Sequence, residues 1–166
     1  MQSLYNLMLK VEKQLECIEK FGIFICTAGL CILMTLVIVF RYVLNSPLLW
    51  SDELLRFLFL WGIYLGIPYL YIKNELTKVD YFYNKMPLKL KKVVNIINQL
   101  LILIFLIIML PATIEVAKTY TRPMPSLHIK GYYLFLSCTI GIGLMLVHHV
   151  ISLIRIFFKK YTNIQI

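Results

Sequence analysis

Ligand-forming and nucleophilic residues are scarce in this chain. Its 166 residues include only 8 Asp and Glu, 3 His and 4 Cys. A metal site needs several such ligands close together, and a hydrolase needs a nucleophile beside an oriented base. The sequence shows no motif typical of either site. Three cysteines lie in apolar runs, one lies in the N-terminal segment, and none forms a CxxC pair. No disulfide framework, cofactor or enzyme activity is therefore predicted.

Apolar residues, by contrast, are abundant. Hydrophobic residues make up 60% of the chain, whereas soluble domains contain about 45–50%. A run of about 20 apolar residues crosses a bilayer as a helix. We therefore predict an all-α membrane protein with one domain over residues 1–166 and four transmembrane helices, at about 21–44, 54–72, 93–110 and 132–158.

The first 20 residues have a different pattern. Apolar residues recur there at spacings of three and four, and lysines and glutamates fill the remaining positions. This pattern is typical of an amphipathic helix. We expect residues 1–20 to form an interfacial helix in contact with membrane lipids, and the alternative is a cytoplasmic helix that contacts a partner.

The net charge of +9 does not indicate nucleic acid binding, because no basic stripe with interleaved aromatic residues occurs outside the apolar spans. Lysines and arginines are instead distributed unevenly between the two sides of the predicted topology. The side with both termini carries 12 of them and the other side carries 5. The positive-inside rule therefore predicts that both termini are cytoplasmic.

Four charged side chains are concentrated at the turn between the first two spans. The first span ends near Arg41, the chain turns at Asn45-Ser46-Pro47, and the second span begins with Ser51 as N-cap and two acids in its first turn. We expect Glu53 to pair with Arg41 or Arg56, and the alternative is that all four side chains extend into water. The predicted partner network comprises Arg41, Trp50, Asp52, Glu53, Arg56 and Trp61.

Small and amide side chains mark candidate helix contacts. Gly62 and Gly66 form a GxxxG motif, although glycines that are merely tolerated there are an equal alternative. The third span, preceded by Pro87, is expected to be kinked or ended by Pro111. Amides in a membrane usually bond to a neighbouring helix. The predicted packing residues are Gly62, Gly66, Asn95, Asn98, Gln99 and Gly141.

His148 and His149 raise the alternative of a membrane anchor subunit in an electron-transfer complex. Adjacent residues of one helix point about 100° apart, so paired haem ligation would need a histidine from another chain. We interpret the two as a polar interfacial pair. A free-standing transporter is a further alternative, but broken helices or repeated halves, which usually form a midplane substrate site, are not visible.

The turn and the second span carry a recognisable set of residues, namely Arg41-Tyr42, Asn45, Trp50, Asp52-Glu53, Arg56, Phe59, Trp61 and Gly66. With these residues the chain resembles the small membrane subunit, of DctQ or SiaQ type, of tripartite ATP-independent periplasmic (TRAP) transporters. The resemblance covers nearly the whole length, and further agreement lies at Val79-Asp80. One departure is Lys73-Asn74-Glu75-Leu76, where the family pattern has a histidine.

This resemblance implies a subunit of the bacterial inner membrane. Its stable partner would be a large membrane subunit that carries the sodium and substrate sites, and a periplasmic substrate-binding protein would bind transiently. The transported substrate would be an organic acid such as sialic acid or a C4-dicarboxylate.

Overall fold

Four helices make up the part of the fold that the structure describes. The computed structural model describes residues 2–73, 87–120, 123–127 and 129–162. The helices are α1 (Gln2–Tyr42), α2 (Ser51–Ile72), α3 (Leu88–Thr119) and α4 (Tyr132–Thr162). Each contains a segment long and apolar enough to cross a membrane, which confirms the predicted all-α class with four spans. The positions Asn74 to Leu76, Val79-Asp80, Arg122 and His128 lie outside the described residues.

Helix α1 corrects the expected division of the N-terminal region. It runs for 41 residues without a break, about 60 Å at 1.5 Å per residue, twice a hydrocarbon core of roughly 30 Å. Residues 2–20 therefore do not form a separate helix but continue directly into the first candidate span. The reason is that no proline or capping sequence interrupts the helix between residues 2 and 42.

Helix α3 also extends further than its sequence suggested. It contains Pro111 in its interior and continues to Thr119, so the expected end near residue 110 is wrong. Prolines are tolerated in membrane helices because neighbouring groups satisfy the freed backbone, and α2 likewise contains Pro68. Pro87 directly precedes α3, where its extended conformation (φ −65°, ψ 150°) begins the helix.

The helices pack in the spatial order α1, α2, α4, α3. The principal contacts join α1 to α2, α2 to α4, and α3 to α4. Helices α1 and α2 are antiparallel, and their contacts repeat every seven residues. Gly22 of α1 faces Leu65 of α2, and Gly29 of α1 faces Leu58 of α2. Helices α1 and α3 each have one principal neighbour, which leaves much of their surface uncovered.

The interior contains polar as well as apolar side chains, whereas the outer surface of the spans is largely apolar. The buried polar side chains include Glu19, Ser137, His148 and His149, each at most 2% exposed. Many large apolar side chains of the four spans are exposed instead, among them Phe24 and Ile108. This distribution is the reverse of that in a soluble protein, and it suits a protein with hydrocarbon as its outer solvent.

Candidate functional site

Three glutamates of α1 form a row that connects this helix to two others. Glu12, Glu16 and Glu19 follow the spacing i, i+4, i+7 and therefore lie on one face. Glu12 pairs with Arg155 of α4, and Glu16 pairs with Lys73 immediately after α2. Glu19 Oε1 lies 3.0 Å from His148 Nε2. The glutamate row of this segment therefore points into the bundle, whereas Ile18, at 68% exposure, points outward.

The pair of Glu19 and His148 is the most buried of the three. Both side chains are 1% exposed. Glu19 Oε2 and His148 Nδ1 are buried and have no hydrogen-bond partner among the described residues. Breaking such a pair by removing one partner is strongly destabilising, because the other group remains unpaired in a medium of low dielectric constant. This contact therefore fixes α1 against α4.

His149 joins two further helices at the same level. The Tyr71 hydroxyl of α2 lies 2.7 Å from Nδ1 of His149, and the Gln99 carbonyl oxygen of α3 lies 3.1 Å from Nε2. Because a carbonyl only accepts, Nε2 carries the proton and Nδ1 accepts from Tyr71. With Glu19 and His148, this layer contains residues of all four helices.

The histidine layer corrects the interpretation of an interfacial pair. His148 is 1% exposed and His149 is 0% exposed, so both lie inside the bundle. Three of their four ring nitrogens lie within hydrogen-bond distance of protein groups. A haem iron could therefore bind only at the fourth, Nδ1 of His148, or by displacing one of these contacts. Among the described residues, no group of three or more His, Cys, Asp or Glu side chains is arranged to hold a metal ion.

In the sequence, the only sign of these contacts between α1 and α4 is that their residues have the same spacing on both helices. Glu12 and Glu19 are seven residues apart, as are His148 and Arg155, so an antiparallel pair of helices aligns both contacts at once. The amphipathic pattern of residues 1–20 separates charged from apolar side chains, but it does not identify the partners of the charged ones.

Glu53 has a different partner from the expected one. Its carboxylate accepts hydrogen bonds from the backbone N–H groups of Ser126, at 3.1 Å, and Leu127, at 3.0 Å, in the loop between α3 and α4. Among the described residues it forms no ion pair with Arg41 or Arg56, so the predicted pairing is wrong. The two backbone amides are fixed donors that the sequence does not reveal, whereas the charges of the arginines are visible in it.

The loop that Glu53 contacts is itself held together. Pro123 and Lys130 form an isolated antiparallel bridge, and the Met124 N–H donates to the Ile129 carbonyl at 2.9 Å. Glu53 thus connects this loop to the first turn of α2. We call the surface formed by residues 41–56 and 123–127 the corner.

The other charged side chains of the corner are exposed. Asp52 and both arginines belong to this exposed group, and the Arg41 guanidinium lies 5.9 Å from the ring of Tyr42. Asn45 adopts a left-handed conformation (φ 49°) after α1, which asparagine tolerates better than most residues. The corner therefore presents exposed charges beside a loop that Glu53 holds to the start of α2.

Two corner residues differ in detail from expectation. Ser51 is the first residue of α2 and not its N-cap, because its hydroxyl donates to the Leu48 carbonyl at 2.7 Å and Trp50 occupies the cap position. Trp50 is 38% exposed. Trp61 lies further into the helix, where its ring packs 6.0 Å from that of Phe57 and its Nε1 has no partner among the described residues.

The predicted packing residues occupy varied positions. Gly141 allows the closest approach, since a Cβ atom there would lie 2.4 Å from the Tyr64 carbonyl oxygen. Gly62 faces Cys26 of α1, but a Cβ at Gly66 would meet nothing within 4 Å. Gln99 is half-buried beside His149, whereas Asn95 and Asn98 are exposed and do not lie between helices of this chain. Gly22 and Gly29, which sequence analysis did not single out, provide the contact between α1 and α2.

These observations define a class of protein: a multi-pass helical membrane protein whose polar interior connects its helices. Comparison with known proteins specifies it further. The model of the family described as "Tripartite ATP-independent periplasmic transporters, DctQ component" matches residues 30–159. The chain therefore belongs to the DctQ family of TRAP transporter permease components.

Individual relatives agree with this assignment. The chain is 27% identical over 137 residues, covering 80% of the chain and 81% of the relative, to a putative TRAP transporter small permease protein of Haemophilus influenzae. It is 33% identical over 90 residues, 54% of the chain, to the sialic acid TRAP transporter permease protein SiaT of another H. influenzae strain. It is 27% identical over 101 residues, 59% of the chain, to the isethionate TRAP transporter permease protein DctMQ of Oleidesulfovibrio alaskensis. The matches span only 15% and 16% of the latter two proteins.

Proposed function

We propose that this chain is the scaffolding subunit of a sodium-coupled TRAP transporter in a bacterial inner membrane. It would hold a large transport subunit and help a periplasmic substrate-binding protein dock, for uptake of an organic acid. The family assignment carries the proposal. The burial of the interior polar groups supports it, because these groups hold helices together and do not line an open path.

The proposed division of labour follows from where the ionisable groups lie. The glutamate row pairs with Lys73, which follows α2, and with His148 and Arg155 of α4, so these glutamates already have partners within the chain. A substrate anion would need unpaired donors near the membrane midplane. We therefore assign the sodium and substrate sites to the large subunit, and assign no enzyme activity to this chain.

The corner is the proposed contact for the periplasmic binding protein. Its loop is held by Glu53, and its exposed charges, Arg41, Asp52 and Arg56, are available to a partner. Charges at the rim of an interface increase the rate of association, and this effect weakens as the salt concentration rises. The 12 to 5 distribution of lysine and arginine supports a periplasmic position for this corner and a cytoplasmic position for both termini.

The relatives narrow the candidate substrates. SiaT is named for sialic acid and DctMQ for isethionate, so both names refer to organic acids. We propose an organic acid of the sialic acid, sulfonate or C4-dicarboxylate type. The substrate-binding protein encoded beside this chain is the most informative guide to the choice.

Reconstitution tests the proposal. Proteoliposomes that contain this chain alone should show no sodium-driven uptake of sialic acid, isethionate or a C4-dicarboxylate. Adding the large subunit and the binding protein should produce uptake of one of them. Uptake by the isolated chain would contradict the scaffold role, and uptake by the large subunit and binding protein at the full rate without this chain would contradict a need for it.

A further inference from the structure

We infer that the large permease subunit packs against one stripe of α3, formed by Asn98, Leu101, Phe105, Ile108 and Ala112. This inference rests on the proposed function, because it identifies where the proposed partner binds. All five side chains of this stripe are exposed in the isolated chain. Their spacing of three and four residues places them on one face of the helix.

The observation that points to a protein partner is the amide of Asn98. It lies within the candidate span Val93–Thr119, is exposed, and bonds to no other described residue. An amide that faces hydrocarbon leaves donors and acceptors unsatisfied, so polar side chains within spans usually bond across a helix contact. Helix α4 is the principal neighbour of α3, and the exposure of Asn98 shows that this contact does not cover its side chain.

The rest of the stripe has the composition of a helix contact. Asn98, Phe105 and Ala112 are spaced by seven residues, the repeat that keeps one face of a helix against a partner helix. A single asparagine in such a repeat specifies the register of pairing. Ala112 is small, which permits close approach of a second backbone.

A second exposed face of α3, about 100° around the helix from the stripe, differs in kind. It presents Ile97, Leu100, Ile104 and Ile107, all aliphatic and each at least 45% exposed. Such a face needs no partner in a bilayer, because lipid chains satisfy it fully. The stripe thus combines an amide, an aromatic ring and a small side chain, whereas these four residues are wholly aliphatic.

The occupant we assign is a transmembrane helix of the large subunit with a hydrogen-bonding group opposite Asn98. In SiaT and DctMQ the region similar to this chain is only 15% and 16% of the protein, so in those permeases it lies beside much more chain. Helix α3 is an edge of the packing order and has room for such a neighbour.

Crosslinking in the assembled membrane tests the assignment. The photoreactive residue benzoylphenylalanine replaces Phe105 in the test variant. In the control variant it replaces Ile107, which lies about 200° around the helix from Phe105. Each variant is coexpressed with the large subunit. The Phe105 position should yield a crosslink to the large subunit and the Ile107 position should not. A crosslink from Phe105 to a second copy of this chain, to lipid only, or to no protein would overturn the assignment.

Substitutions provide the second measurement. Asn98→Leu should lower copurification with the large subunit about threefold to tenfold, because it removes one hydrogen bond between the two helices. Ala112→Trp should abolish it, whereas Ile107→Trp should leave it unchanged. If both stripe variants assemble like the parent, the stripe is wrong while the proposed function stands. If the parent chain itself does not copurify with the large subunit, the proposed function fails with it.

Discussion

Glu19 Oε1 lies 3.0 Å from Nε2 of His148, which is 129 positions further along the chain, and both side chains are 1% exposed. One contact thus joins the first helix to the last inside the bundle. Its neighbours in the glutamate row are more exposed, since Lys73 and Glu16 retain 38% and 27% of their side-chain exposure. The three pairs therefore differ in their expected contribution to stability.

Removing either partner of the buried pair should destabilise the protein strongly. Glu19→Ala and His148→Ala should each lower the free energy of unfolding by about 3–5 kcal/mol, because the remaining group is left unpaired. Unfolding of the purified protein in mixed detergent micelles measures this. The double variant should lose less than the sum, with a coupling of about 1–3 kcal/mol. Glu16→Ala is the control and should cost roughly 0–1 kcal/mol. Additive single effects would contradict a direct interaction.

The sequence predicted the helices much better than their partners. Four long apolar runs determine four spans, because hydrocarbon excludes other backbone conformations. Glu53 shows the limit: its charge was visible, but its partners are two backbone amides that any sequence would supply. Glu19 shows the same limit. Its spacing in the sequence does not reveal that it is buried, because this depends on how α1 and α4 are aligned and hence on its contact with His148. Local pattern therefore identified these residues without identifying their contacts.

The contact at Gly141 predicts a difference between two glycines on one helix. Gly141→Ala would place a Cβ 2.4 Å from the Tyr64 backbone oxygen, so the helices must separate. We expect a loss of about 1–3 kcal/mol. Gly143→Ala meets only Leu110, at 3.9 Å, and should be neutral or stabilising by about 0.5–1 kcal/mol, because alanine favours the helix. The same unfolding assay distinguishes the two. Equal effects would show that α2 and α4 do not approach closely at Gly141.

Glu53 should control the order of the loop that it contacts. In Glu53→Ala the amides of Ser126 and Leu127 lose their acceptor, so their hydrogen exchange should accelerate by about tenfold, the equivalent of roughly 1.4 kcal/mol. Hydrogen exchange read by mass spectrometry of the loop peptide measures this. Asp52→Ala removes a neighbouring carboxylate that is exposed, and it should leave the exchange unchanged. Equal acceleration in both variants would indicate a general charge effect at the start of α2.

The proposed orientation can be tested with reporters. The charge distribution predicts that a reporter active only in the periplasm is silent when fused after Lys160 and active when inserted near Met124. A reporter active only in the cytoplasm, placed at the same two positions, serves as the control and should give the opposite pattern. Activity of the periplasmic reporter after Lys160 would place the termini outside and reverse the assignment of the corner.

The exposed arginines of the corner should matter for assembly and not for folding. Arg41 and Arg56 make no ion pair with a described residue, so Arg41→Gln and Arg56→Gln should change the free energy of unfolding by less than about 0.5 kcal/mol. If these charges meet the binding protein, transport in the complete system should slow at low salt, and the difference from the parent should shrink as salt screens the attraction. Uptake rates measured from low to high ionic strength test this. Lys118→Gln, which removes an exposed charge outside the corner, is the matched control. Parent-like uptake at every salt concentration in both arginine variants would leave the corner a solvated surface and would contradict its role in docking.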